Sequence, residues 1–189
     1  MILDNFAGGV AAPTYLALLR GVNVGGKNCL PMRDLAEMFV KAGCSDVQTY
    51  IQSGNVLFRG SRATAESVPV RISEQIAKRF GFRIPVVLRT AEQLGAAVRD
   101  NPLSRIPPEM LYLYFLAGQP DAARVSQLDP NRSTPDTFIV RGHEIYLHLP
   151  NGAGRTKLTN SYFDAKLAVI STARNWRTVL KLLELMGGG

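Results

Sequence analysis

The sequence predicts an α+β fold built from two tandem ferredoxin-like plaits (βαββαβ) with an extra C-terminal helix. Three observations carry this expectation. Short strand-like runs alternate with segments of helical periodicity, each half holds one tight hairpin signal between apolar runs, and the element order recurs after a Pro-bearing divider. Split βαβ units of this kind give an antiparallel sheet with helices on one side. The expected organisation is a flexible leader over 1–13, a first plait over 14–100, a linker over 101–110, and a second plait with the terminal helix over 111–189.

In the first half, residues 15–20 (YLALLR) read as a buried strand. Residues 31–42 read as a helix, with Pro31 suited to its first turn, Leu35, Met38, Phe39 and Ala42 at helical spacing, and Gly43 closing it. Residues 47–52 and 55–59 form a hairpin that turns at Ser53-Gly54. A helix over 66–80, ended by Gly81, and a strand over 84–88 (IPVVL) complete the unit, and a connector helix follows over 91–99. In the second half the expected elements are a strand over 111–116, a short helix over 122–128, and a hairpin of 138–141 and 144–149 turning at Gly142-His143. A helix over 162–167, a short strand over 169–171 and an amphipathic helix over 175–186 complete it.

With 189 residues, 46% of them hydrophobic, the chain is able to bury an ordinary core. No apolar run reaches the roughly 18 residues a membrane span needs, and residues 1–13 lack the pattern of a secretion signal, so a cytoplasmic protein with no membrane partner is expected. Cys29 and Cys44 have no CxxC spacing, and His143 and His148 are the only histidines, so no metal site and no cofactor is expected. The formal charge is +7. Between Arg141 and Lys181 seven basic residues face two acidic ones, a balance that favours phosphate-bearing partners.

Two loops sharpen that reading. GVNVGGKN (21–28) and NGAGRTK (151–157) each follow an apolar strand and set a cation beside glycine-rich backbone able to converge several N–H groups on an anion. Neither is a GxxxxGK[ST] or GxGxxG loop, so an ordinary kinase or dinucleotide site is not expected. Candidate ligand-binding residues are Arg20, Asn23, Gly25, Gly26, Lys27 and Asn28 at the first loop and Ser53 and Asn55 at the hairpin tip. Asn151, Gly152, Gly154, Arg155 and Lys157 are the candidates at the second loop, and Arg174 and Asn175 before the last helix. Thr156 or Thr159 suits a helix cap at the end of the second loop, and Asn175 is a natural cap for the last helix.

LALLRGVNVGGKNCLPM (16–32), TYIQSGNVLF (49–58), the Asn101-Pro102 pair, YLYFL (112–116), YLHLPNGAGRTKLTN (146–160) and TARNW (172–176) together resemble the bacterial family called domain of unknown function 1697. The resemblance runs from Tyr15 to about Met186. It implies a two-part α+β fold of plait type and brings no activity, substrate or catalytic residue with it.

The expected function is therefore binding of a phosphate-bearing ligand, nucleic acid or nucleotide, through the basic Gly/Asn loops. Two alternatives stand beside it. One is a magnesium-dependent phosphoryl- or nucleotidyl-processing enzyme in which Asp34 or Asp164 holds the ion. The other is a pairing module: strand alternation groups Tyr112 with Tyr114, and Tyr146 with His148, and these rings are expected to share the uncovered sheet face and support a homodimer through Tyr112, Tyr114 and Tyr146. No GxSxG or HExxH motif points to a particular reaction.

Overall fold

The computed structural model describes residues 12–187, so the expected leader lies outside the described residues except for its last two. The first half runs β1 (Thr14–Leu19), α1 (Met32–Lys41), β2 (Ser45–Tyr50), β3 (Asn55–Arg59), α2 (Arg62–Phe80), β4 (Val86–Thr90), then α3 (Ala91–Arg99). The second runs β5 (Leu111–Leu116), α4 (Ala122–Val125), β6 (Thr137–Arg141), β7 (Glu144–His148), α5 (Asn160–Leu167), β8 (Ser171–Asn175), then α6 (Trp176–Leu185). The described residues thus form a mixed α+β structure with six α-helices and two four-stranded antiparallel sheets, ordered β2-β3-β1-β4 and β6-β7-β5-β8. None of the described helices is long and apolar enough to cross a membrane.

Local chemistry sets the helix ends. Ser61 caps α2 by accepting from the Thr64 N–H, and Gly81 ends that helix in the left-handed region at φ 81°, so the helix begins four residues before the expected start at 66. Thr90 and Gln93 form a capping box on α3. Thr159 caps α5 and Asn175 caps α6, as their residue types suggested. The largest difference from expectation is β8. A strand was expected over 169–171, with Asn175 opening the helix directly, yet the strand occupies Ser171–Asn175. Its sequence, STARN, has no apolar alternation, because its buried positions are the polar Ser171, Thr172 and Arg174, each held by side-chain hydrogen bonds.

Three apolar clusters hold the layers together. Ala17 and Leu19 of β1 point to α1 and α2, where they meet Phe39, Val68, Ile72 and Ile76, beside Phe58 of β3. Tyr114, Leu116, Ile145 and Leu147 point from the second sheet to α5 and Phe163. The central cluster joins the other faces of both sheets: Leu16, Leu18 and Val87 from the first, Leu111, Leu113, Phe115 and Tyr146 from the second, closed by Leu94 of α3 and Trp176, Val179 and Leu182 of α6. Each fully buried Leu or Phe contributes about 1.5–3 kcal/mol from apolar burial. The two halves therefore share a core.

This packing corrects the expected tyrosine face. Leu113 stands opposite Tyr146, so Tyr146 shares the face of Leu113 and lies across the sheet from Tyr112 and Tyr114. Alternation says which residues of one strand share a face, but the register between strands decides which faces match, and it is invisible within either strand. Tyr146 sits in the central core with its hydroxyl donating to the Ala97 carbonyl (2.8 Å), and Tyr114 sits under α5 donating to Leu158 (2.9 Å). The three tyrosines form no common surface for pairing.

Burial pushes the Tyr114 phenol up to about 12. An acid whose folded value exceeds its unfolded one stabilises fully below the unfolded value and loses that contribution as pH climbs through the folded value. The stability advantage of the native chain over Tyr114→Phe is therefore expected to hold up to about pH 10 and to shrink by roughly 2 kcal/mol on approaching about pH 12. Urea midpoints of the two proteins across that range check it, and a constant difference would contradict a neutral buried phenol.

Candidate functional site

Antiparallel pairing brings the end of β1 and the tip of the β2–β3 hairpin to one corner: Leu18 pairs with Asn55, and the Leu19 N–H donates to the Gly54 carbonyl at 2.8 Å. The second sheet repeats the arrangement. Phe115 pairs with Glu144, and the Leu116 N–H donates to His143 at 2.8 Å. Each corner is filled by an arginine from the last strand of the opposite half. Arg89 of β4, paired with Leu16, donates to Glu144 Oε1 (3.0 Å) and to the carbonyls of Leu116 (3.0 Å) and His143 (2.9 Å). Arg174 of β8, paired with Leu113, donates to Asn55 Oδ1 (2.5 Å), to the Thr172 hydroxyl (3.0 Å), and to the carbonyls of Ala173 (2.7 Å), Leu19 (2.9 Å), Ser53 (3.2 Å) and Gly54 (3.2 Å).

The two corners match position for position and differ in charge. Asn55 of β3 stands where β7 has Glu144. Both guanidiniums are pulled below the ordinary arginine range by burial, but Glu144 opposes that at Arg89, whereas Arg174, only 7% exposed and lowered to about 10, has no carboxylate opposing it. It keeps its proton at neutral pH. The carbonyl dipoles around it satisfy its N–H groups and leave its charge uncancelled.

Beside Arg174 lies a cavity of about 580 Å³ lined from both halves. The first loop contributes Arg20, Gly21 and Val24, and the hairpin tip Ile51 and Ser53. The second half contributes the first residues of α5 (Thr159, Asn160, Ser161), Thr172 and Ala173 of β8, and Asn175 and Thr178 at the start of α6. Two helix N-termini thus open onto it, each presenting the positive end of a helix dipole. Arg20 pairs with Asp164, whose other oxygen accepts from the Ser171 N–H (2.9 Å) and hydroxyl (2.6 Å). One carboxylate stands against two guanidiniums. At the Arg89 corner a cavity of about 400 Å³ has a balanced lining, with Arg89 and Arg141 against Glu144 and Asp100.

Of the residues singled out in the sequence, Arg20, Ser53, Arg174 and Asn175 meet at the larger cavity. Several others hold the fold. The Asn23 side chain takes the Leu30 N–H (2.8 Å) and donates to Leu30 and Gln52 (2.9 Å each), Asn28 donates to Gly21 (3.0 Å), and Asn55 is fully buried between Tyr50, Ser53 and Arg174. These amides are spent within the protein, and Asn23 (φ 55°) and Asn28 (φ 51°) also hold the left-handed turn conformations that asparagine commonly takes. Gly25, Gly26 and Lys27 form an exposed turn closed by Lys27 N–H to Val24, outside the cavity lining.

The second loop is a correction. Asn151, Gly152, Gly154, Arg155 and Lys157 do not line the cavity; the Gly152 N–H closes on Leu149, and the Lys157 N–H on the Ser133 hydroxyl. The second Gly/Asn loop does not share the cavity with the first; what lines it there is the helix start just beyond that loop. The carboxylates named for magnesium are also engaged. Asp164 is bonded as above, and Asp34 accepts from Arg79 at 2.7 Å. Among the described residues no three His, Cys, Asp or Glu side chains gather as a metal site would require. Sequence reasoning missed Ser161, Thr172 and Thr178, which carry no signal apart from their nearness to the two caps.

Fold and site define a class: a two-sheet α+β protein with an electropositive cavity where its halves meet. The chain belongs to the protein family of unknown function DUF1697, whose model matches residues 13–146. Among solved structures it is similar to the conserved bacterial protein SP0830 from Streptococcus pneumoniae, at 21% identity and a TM-score of 0.67, over 94% of this chain and 99% of that one. That likeness is one of fold. No curated protein matches the chain.

Proposed function

We propose that the protein binds a phosphate-bearing ligand, a nucleotide or a nucleic-acid end, in the cavity beside Arg20 and Arg174. Each half is read as a ferredoxin-like plait, a reading supported by the βαββαβ order and the 2-3-1-4 strand sequence of each sheet. A cytoplasmic setting is proposed with it, in keeping with the two unpaired thiols, Cys29 and Cys44. One observation carries the proposal: Arg174 is a buried cation without a carboxylate partner, at a cavity where the matching position across the molecule has Glu144. A buried uncompensated charge is costly, and an anion arriving in the cavity would offset that cost. Arg20 supports the reading, since only one of its nitrogens is engaged among the described residues, leaving N–H groups for a ligand.

Calorimetric titration of nucleotides and short single-stranded RNA at low salt tests this. Arg20→Ala is expected to weaken binding about ten- to a hundredfold, the worth of a hydrogen bond to a charged group. Ser161→Asp puts a carboxylate into the first turn of α5, where it favours the helix and repels the ligand, so binding falls while the fold holds. Reversing the exposed Arg155 and Lys157 to Glu is expected to leave nucleotide affinity within about threefold when the titration is repeated at about 0.15 M salt, where an exposed charge outside the cavity is screened over a Debye length of about 8 Å. Absence of binding by every phosphate compound at low salt would sink the proposal.

A further inference from the structure

The same cavity has an apolar outer wall that an anion does not use. Val24, at the tip of the first loop, is 61% exposed, and Ile51, at the hairpin tip, is 49% exposed; both line the cavity. The Asn23 side chain ties the two tips together through the Gln52 carbonyl at 2.9 Å, so these side chains rise from one braced rim. Burial grades the cavity from charge to grease: Arg174 is deepest, Arg20 is half-buried, and the two aliphatic side chains stand outermost. Ile51 also holds φ 50°, a left-handed conformation that a β-branched residue adopts only at a cost and that Gly or Asn would adopt freely. About half of the isoleucine surface stays exposed, so apolar burial on folding gains less from it than from a core position.

From this gradient we infer that the ligand is a single phosphomonoester carrying a planar apolar group, with the size and chemistry of a nucleoside monophosphate. The phosphate lies toward Arg20 and the helix starts, and the flat group rests against Val24 and Ile51. This rests on the anion-binding reading above and narrows it. A volume of about 580 Å³ suits one small molecule, for which pockets of roughly 300–1,000 Å³ are usual.

The test compares four probes by titration: inorganic phosphate, ribose 5-phosphate, adenosine and adenosine monophosphate. The native protein is expected to hold the nucleotide about tenfold or more tighter than ribose 5-phosphate, the worth of burying one apolar face. Ile51→Gly, which relieves the backbone and so cannot fail by misfolding at that position, combined with Val24→Ser, is expected to erase that difference while ribose 5-phosphate binding stays within about twofold, because neither side chain reaches the phosphate end. Equal affinity of the native protein for nucleotide and ribose 5-phosphate would overturn the inference and leave anion binding standing. The same loss for both ligands in the double variant would also overturn it, and no binding of any phosphate probe would remove both readings.

Discussion

Arg174→Met is expected to destabilise the fold by about 2–4 kcal/mol, the cost of stranding buried neutral acceptors, partly offset because the buried charge leaves with the side chain. Methionine fills part of the space and accepts none of the duties. The Leu19 and Ser53 carbonyls and the Asn55 Oδ1 would lose the arginine's N–H groups, while the Gly54 carbonyl keeps the Leu19 N–H, and each acceptor left buried and unsatisfied costs about 1–3 kcal/mol. The loss reaches well beyond β8, because those acceptors belong to the end of β1 and the β2–β3 turn. Arg174→Lys is expected to recover only a part, since an ammonium on a flexible stem lacks the planar fork that reaches Asn55 and the Leu19 carbonyl together. Denaturant unfolding of both variants checks this. A loss below about 1 kcal/mol for the methionine variant would mean that the carbonyls find other donors, and the arginine would then be better explained by ligand binding alone.

Gly54→Ala is expected to cost about 2–4 kcal/mol, from an overpacking term and a left-handed backbone term acting together. At φ 73° an L side chain is disfavoured, and an added Cβ would lie 2.8 Å from the Leu19 Cβ and 3.2 Å from a Val22 methyl. Neither neighbour is free to retreat. Leu19 and Val22 are both fully buried, and Leu19 is fixed by its own N–H bond to the Gly54 carbonyl. The variant would also push the hairpin tip off Arg174, so stability and any phosphate affinity should fall together. Thermal melts read with and without a bound nucleotide check this. Gly25→Ala and Gly26→Ala serve as controls: they too carry positive φ, but their added Cβ meets open space, so they should show the backbone part of the cost alone.

The fold was largely readable because its long elements have strong local signals. Alternation over 111–116, helical spacing in α1, and the hairpin turns at Gly54 and Gly142 all rest on residues within a few positions of one another. What escaped was decided across the chain. Alternation read within each strand alone predicts one face for Tyr146 and Tyr114, whereas the register that separates them is a property of the pair. β8 escaped because its arginine serves the other half, some 120 residues away in sequence, and a strand with such a duty shows no apolar pattern. The candidate site followed the same division. Arg20, Ser53, Arg174 and Asn175 stand out by their chemistry and do meet, but nothing local says that a basic glycine-rich run such as 151–157 lies outside the cavity lining. Glycine and asparagine content signals a turn with special backbone angles, and it was those angles that Asn23 and Asn28 proved to serve.

The reciprocal arginines bear on why the proposed anion site falls at one corner and not at both. A chain with two equivalent corners offers chemistry two addresses, and simple repetition would furnish them alike. An amide in place of a carboxylate, Asn55 against Glu144, is enough to leave one address electrically open to visitors while its twin closes on itself.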